Sequence, residues 1–478
     1  VEIRHTDLFV GGEWVPGSAG RLTVIDPATG APLAEVANAS VADCERAVAA
    51  ADRAFPAWRR TAPRERAEIL RRAFEIMIAE ADVLAAILTA EMGKPLAEAR
   101  GEIAYAAEFF RWFSEEAVRI DGDYRRAPGG ANWILTSREP VGVALLATPW
   151  NFPAAMITRK VGPALAAGCT VVVKPAQDTP LTALAIADVL ARAGVPAGVV
   201  NVVVTDPPGP PVETMLAGGV VRKLSFTGST RVGAMLLAQA APRVVNCSME
   251  LGGNAPFIVL ADADVTAAVD GAMVAKMRNG GAACTAANRF YVHAAVAEEF
   301  VDRFVARMSA VVLGAGTDPA TSLGPMISAG HQRRLAEAVD SAVARGARVA
   351  CGGAPVTMPA FGYPATVLTD VSADDPILAD EIFGPVAPIV VLDATDDEFV
   401  ARANAVEHGL VSYVYSGDAG RAMRVAERLE CGMVGLNRGL VSDPAAPFGG
   451  VKASGLGREG AHDGLLAFLE TKYVAGNW

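Results

Sequence analysis

The segment from Val141 to Val204 limits the fold more than any other stretch of this chain. Val143-Ala-Leu-Leu-Ala is apolar at every position and stops at Thr148-Pro149, the length and composition of a strand buried on both faces. A helical pattern over about 154–167 follows, and then a second buried strand, Thr170-Val-Val-Val-Lys174. Thr179 and Pro180 read as an N-cap and a first-turn proline, and Leu181, Leu184, Ile186 and Leu190 recur on a helical period until Gly194-Val-Pro196 stops it. Val199–Val204 is the third strand. Strands that alternate with helices at this spacing build a parallel α/β sheet, because parallel neighbours need a crossover connection. Ligands of such sheets bind outside the carboxyl ends of the strands, where Trp150-Asn151 and Lys174-Pro175 fall.

The alternation returns between about 255 and 437, with strands expected at 257–260, 289–292, 387–392 and 433–436. A chain of 478 residues is too long for one core, so two or three domains are expected. Upstream, residues 8–36 alternate and turn, which reads as a hairpin arm on the surface. Residues 41–118 are helical in pattern, with Ser40 as N-cap, Asp43 in the first turn and Met92-Gly93-Lys94-Pro95 as a break. The polar stretch Asp121-Gly-Asp-Tyr leads into an extended segment up to Arg138. The apolar tail Ala467–Val474 reads as a strand that needs an edge to pair with, in its own chain or in another.

Net charge is −11, from 42 basic and 53 acidic residues, and no Lys/Arg cluster stands out. Nucleic acid is therefore not the expected partner, whereas a small anion is still open to a few arginines gathered in one pocket. Six cysteines lie far apart, with no CxxC pair, so neither a metal site nor a disulfide framework is expected. Val1-Glu-Ile-Arg-His has no signal-peptide pattern. The uncharged stretch between Glu139 and Arg159 carries Pro149, Asn151 and Pro153 and reads as a buried strand and loop, not a membrane span. A cytoplasmic enzyme with no membrane partner is the expectation.

Four short stretches carry chemistry. Asn279-Gly-Gly-Ala-Ala-Cys284-Thr sets a cysteine after tiny residues, which let backbone N–H groups approach a ligand; a thiolate there attacks carbonyls, and an N–H receives the oxyanion. Glu250-Leu-Gly-Gly-Asn sets a carboxylate beside two glycines, suited to a general base whose pKa burial has raised. Thr148-Pro-Trp-Asn151 ends a strand with an amide able to donate to an oxyanion. Phe226-Thr-Gly228-Ser229-Thr opens a helix, and a helix N-terminus attracts phosphate, so Ser229 is a candidate for a dinucleotide pyrophosphate. Taken singly these are also ordinary turn, cap and core residues. Gly455-Leu-Gly-Arg-Glu-Gly460 matches GxGxxG formally, but no buried strand precedes it closely and too little chain follows for a βαβ unit, so it reads as a loop-to-helix turn.

Together with Lys174-Pro-Ala, Glu381-Ile-Phe383-Gly-Pro and Pro447-Phe-Gly-Gly, and in this order and spacing, these stretches resemble the aldehyde dehydrogenases over nearly the whole chain. The resemblance implies an α/β fold with a Rossmann-type dinucleotide-binding domain (1–121 and 141–252), an α/β catalytic domain (253–452) and a small β oligomerisation arm (122–140 and 466–478) pairing subunits into a dimer or tetramer. It implies catalytic roles for Cys284, Glu250 and Asn151. It also implies a cofactor site of Thr148, Pro149, Trp150, Lys174, Gln177, Gly228, Ser229, Leu251, Glu381 and Phe383, with Lys174 and Glu381 on the two riboses and Phe383 by the nicotinamide.

Within the family the chain is most similar to the succinate-semialdehyde dehydrogenases, through Asn151–Lys160, Arg278-Asn and Val451–Lys472. That likeness implies that Arg159, Arg278 and Ser442 grip a substrate carboxylate, and an arginine fork does bind carboxylate by paired charge-assisted bonds. The expected substrate is succinate semialdehyde, with glutarate semialdehyde or a sulfonated aldehyde as alternatives; a binding protein that kept the fold and lost catalysis is the reading from another class. Gly281-Ala-Ala stands where these relatives carry Gly-Gln-Thr, Ala286 where many carry a second cysteine, and Arg438 where an acidic or small residue is usual. Gln177 bonds a ribose 2′-hydroxyl without repelling a 2′-phosphate, so NADP is expected to be accepted alongside NAD.

Overall fold

The computed structural model of the chain describes residues 1–477. Its first sheet has eight strands. At its centre five run parallel in the spatial order Val200–Val202, Thr170–Lys174, Val143–Ala147, Val221–Thr227 and Asn246–Glu250. The chain steps outward from Val143–Ala147 in one direction and then returns to lay down the last two strands on its other side. The order reverses between Val143–Ala147 and Val221–Thr227, and the crevice at that switch point is framed by Thr148–Asn151 and Thr227–Ser229. Val143–Ala147 and Thr170–Lys174 are buried at every residue, as their unbroken apolar runs require.

Two local readings are corrected. The first part of residues 8–36 is not a surface arm: Leu8–Val10 pairs antiparallel with Val200–Val202 and extends the sheet, and Leu8 and Phe9 are buried in its core, whereas Arg21–Ile25 and Pro32–Ala37 do form a separate, partly exposed hairpin. Alternation alone does not tell a free hairpin from a sheet edge. Thr179 makes no cap bond to the helix Pro180–Arg192. Glu91, buried at the end of the helix Ala81–Met92, accepts instead from the Leu181 N–H (2.7 Å) and the Thr182 N–H (2.8 Å), a carboxylate set at the positive end of the helix. Ser40, by contrast, caps Val41–Trp58 through a capping box with Asp43.

A second sheet of seven strands contains all four strands expected between 255 and 437, completed by Val411–Tyr415 and Thr366–Thr369; only Arg348–Cys351, at one edge, runs antiparallel. A separate core of Phe257, Phe290, Phe300, Phe304 and Tyr413 packs beneath it. The tail strand Leu469–Gly476 finds its edge within its own chain: it pairs with Trp133–Pro140, which pairs with Asp123–Arg126. Among the described residues no helix is long and apolar enough to cross a membrane.

Candidate active site

The switch-point crevice faces the second sheet across a cavity of about 670 Å³. Pro149, Trp150 and Asn151 enter it from the end of Val143–Ala147, Gly228 and Ser229 from the end of Val221–Thr227, Glu250 and Leu251 from the end of Asn246–Glu250, and Cys284, Glu381 and Phe383 from the other half of the molecule. The thiol, the amide and the carboxyl, remote in sequence, thus line one space of a size that holds small organic ligands.

Backbone geometry explains why such small residues surround Cys284. Asn279 has φ 56°, followed by Gly280 and Gly281 with positive φ, and a Cβ on Gly281 would stand 2.1 Å from the Gly384 carbonyl oxygen. A Cβ on Gly253 would stand 2.2 Å from the Cys284 carbonyl oxygen, so the glycines after Glu250 let that strand end lie against the cysteine loop. The loop is laced to the amide: Asn151 Nδ2 donates to the Ala282 carbonyl (3.0 Å), and Asn279 Nδ2 donates both to that carbonyl (2.9 Å) and to the Asn151 carbonyl (2.8 Å).

The electrostatics favour a thiol and a nearby acceptor. Burial pushes the Cys284 thiol up to about 12, opposed by the charge of Arg159. Among the described residues neither oxygen of Glu250 has a hydrogen-bond partner. Burial, and then the negative charge of Glu459, hold the Glu250 carboxyl well above the usual carboxylate range. A thiol this reluctant to ionise needs a base beside it, and Glu250 lines the same space.

On the far side of Cys284 lies a narrow pocket that shares Cys284 and Met156 with the large cavity. Arg159, Arg278 and Ser442 all line it. Arg278 Nη1 donates to Ser442 Oγ (3.1 Å), and its guanidinium lies over the Phe152 ring at 4.9 Å. Arg159 is committed on one side: its Nε meets Glu459 Oε2 at 2.6 Å and its guanidinium lies 4.2 Å from the Phe448 ring centre. Lys160 and Ser225 also bond Glu459. The sequence reading missed Glu459, Lys160, Phe152 and Phe448. Glu459 sits in the glycine-rich Gly455–Gly460, which does turn from a short strand, Gly455–Leu456, into the helix Ala461–Leu466; nothing local marks its carboxylate as buried.

Ser229 caps the helix Thr230–Ala240, accepting from the Val232 N–H (3.4 Å), and remains exposed at the cavity. Glu381 accepts from the Gly253 N–H (3.3 Å), and burial raises its carboxyl to about 7. Phe383, at φ 53°, meets Trp150 edge-on at 5.5 Å. Thr148, Lys174 and Gln177 do not line the large cavity. They lie at the adjacent strand ends, where the Thr148 N–H donates to the Lys174 carbonyl (3.1 Å). Burial lowers the Lys174 ammonium to about 8, opposed by Asp178 and Asp206. The buried Thr148 and Thr227 hydroxyls have no hydrogen-bond partner among the described residues. Unpartnered hydroxyls, an exposed helix N-terminus and a buried acid beside one cavity fit a polyhydroxylated dinucleotide. Among the described residues no group of three or more His, Cys, Asp or Glu is placed to hold a metal ion.

A cysteine, an amide and a carboxyl around a cavity on two α/β halves define an aldehyde-oxidising enzyme that works with NAD or NADP. Residues 14–474 match the aldehyde dehydrogenase family, and the chain belongs to that family. It is similar to the succinate-semialdehyde dehydrogenase of Paenarthrobacter nicotinovorans, at 53% identity over 92% of this chain and 98% of that protein. It is also similar to the glutarate-semialdehyde dehydrogenase of Pseudomonas aeruginosa, at 48% identity over 98% of this chain and 96% of that protein. Among solved structures it matches an NADP-dependent enzyme from Escherichia coli with a TM-score of 0.97 and 45% identity, covering 99% of this chain and 98% of that one.

Proposed function

We propose that the chain oxidises a short aldehyde with an anionic group at its far end, succinate semialdehyde to succinate being the best fit. The observation that carries this reading is the pocket beyond Cys284, where two arginines and the Arg278–Ser442 hydrogen bond face the space a substrate tail would enter. The Paenarthrobacter relative supports the four-carbon acid. Glutarate semialdehyde is the second reading, favoured by the Pseudomonas relative of near-equal coverage.

In the chemistry that follows, Glu250 takes the thiol proton, directly or through water, as the Cys284 sulfur adds to the aldehyde carbon. The oxyanion forms against Asn151, whose Nδ2 has a second N–H besides the one given to Ala282. Such a donor is worth about 3–4 kcal/mol of barrier. The bound dinucleotide supplies the hydride acceptor. Loss of hydride would leave an acyl thioester on Cys284; Glu250 gives the thiol proton to solvent, then takes one from the water that adds to the thioester, and Cys284 leaves as thiolate and takes that proton back as the acid is released. Lys174 and Glu381 would hold the two riboses and Ser229, with Gly228, the pyrophosphate. Pro149, Trp150, Leu251 and Phe383 would wall the nicotinamide end, and Gln177 would meet the adenosine ribose, with NADP accepted alongside NAD.

The same reading makes the protein a cytoplasmic homo-oligomer, with its boundaries at 121, 141 and 252. The three-stranded sheet of 123–126, 133–140 and 469–476 would be the contact between subunits; its exposed Leu135, Tyr473 and Val474 support this. A panel of succinate semialdehyde, glutarate semialdehyde and a sulfonated aldehyde beside a neutral aldehyde of equal length, with NAD and NADP in turn, tests the proposal by absorbance of the reduced nicotinamide. Preference for the anionic aldehydes in kcat/KM is expected; equal use of the neutral one would overturn it.

A further inference from the structure

Lys94 lies in the break between the helices Ala81–Met92 and Leu96–Glu116 and is only 3% exposed. Its ammonium pairs with the buried Glu102 carboxylate, stands 4.3 Å over the Phe152 ring and donates to the Asn151 main-chain carbonyl at 3.0 Å. The other Glu102 oxygen accepts from the Ala154 N–H (2.9 Å) and the Ala155 N–H (3.3 Å), at the start of the helix Ala155–Ala167. One ion pair thus brackets the turn that carries Asn151: the cation holds the carbonyl at its start, and the anion holds the amides at its end. Asn279 is the second donor to the same Asn151 carbonyl and joins it to the cysteine loop.

None of the chemistry above uses Lys94 or Glu102. A buried ion pair is a poor source of stability, since desolvation offsets its attraction and apolar residues of like volume often serve as well. What a pair with two fixed donors and acceptors does supply is position. An oxyanion donor works only when held within about 0.5 Å of its productive place. We propose that Lys94, in its pair with Glu102, is a positioning residue for the Asn151 amide, holding it at the height where it meets the oxyanion on Cys284. The proposal rests on the reading of Asn151 as oxyanion donor.

The test is a double-mutant cycle on the full-length enzyme. Lys94→Met removes the cation; Lys94→Met with Glu102→Gln removes the whole pair and leaves no unpaired buried charge. Each is combined with Asn151→Ala, which by itself should lower turnover by roughly a hundredfold or more. With Asn151 present, the Lys94 variants should lose about tenfold in kcat, with the aldehyde KM nearly unchanged. Hydrolysis of an activated phenyl ester at Cys284, which forms the same oxyanion without hydride transfer, should fall by the same factor. In the Asn151→Ala background the further loss should vanish, because residues acting through one group do not add. A purely structural role would instead lower thermal stability and act equally in both backgrounds. That outcome, undiminished turnover in the double variant, or its failure to fold would each overturn the inference. If Asn151→Ala leaves ester hydrolysis intact, the fault lies in the reading of Asn151 itself.

Discussion

Arg159 Nε and Glu459 Oε2 lie 2.6 Å apart in a buried ion pair, so one of the two arginines lining the pocket beyond Cys284 is held by the protein itself. Among the described residues Arg278 has no such carboxylate; it donates to the Ser442 hydroxyl. The two should respond differently to replacement. Arg278→Ala should raise the KM for an anionic aldehyde by tenfold or more, about 1.4 kcal/mol, and leave thermal stability near that of the parent. Arg159→Ala should raise KM as well, but also cost about 2 kcal/mol of stability, because Glu459 then keeps its buried charge with Lys160 alone. Steady-state kinetics with charged and neutral aldehydes, alongside thermal unfolding, separate the two effects.

The pH profile should report Glu250 and its neighbour together. A base must be ionised to work, so kcat/KM should rise with pH through an inflection well above the ordinary carboxylate range, where burial and the charge of Glu459 hold Glu250. Glu459→Gln removes that charge and leaves Arg159 and Lys160, which favour the ionised form. The inflection should therefore move to lower pH. An unmoved limb would show that Glu459 does not set the base.

Cofactor choice should turn on the carboxylates around Lys174. Asp178 and Asp206 already act on its ammonium, and a 2′-phosphate beside them would meet like charge. Asp178→Asn should improve kcat/KM for NADP more than for NAD, and Gln177→Glu should do the reverse, each by about tenfold in the ratio. The ratio of the two constants, measured at one ionic strength, is the check.

How much of this was legible depended on how local the cause was. Val143–Ala147 and Thr170–Lys174 announce themselves, because burial on both faces demands an unbroken apolar run. Cys284 and Glu250 were findable because close backbone approach forces glycine beside them, and the Gly253–Cys284 contact is that approach. The cap of Pro180–Arg192 was not, since Glu91 reaches it from 90 residues away. Glu459 was not either: its partner Lys160 lies 299 residues upstream, and only the folded chain brings the two together. Lys94 read simply as part of a helix break, while its partners Glu102 and Asn151 give it a different place.

The Gly253–Cys284 contact makes a prediction of its own. Gly253→Ala places a methyl 2.2 Å from the Cys284 carbonyl oxygen, so the loop must move. The substitution should cost about 1–3 kcal/mol of stability. It should also lower kcat and slow alkylation of Cys284 far more than it weakens dinucleotide binding, measured by fluorescence titration.

The most direct measurement is peptide mass spectrometry of the Glu250→Gln enzyme after mixing with succinate semialdehyde and NAD or NADP. Without Glu250, Cys284 must give its thiol proton to the buffer, so acylation becomes slow, and with no base to activate water the acid-forming step should stall. A succinyl adduct on the peptide that carries Cys284 is expected, formed slowly and in step with one equivalent of reduced nicotinamide. Full turnover with no adduct, or an adduct on a different cysteine, would contradict the proposed mechanism.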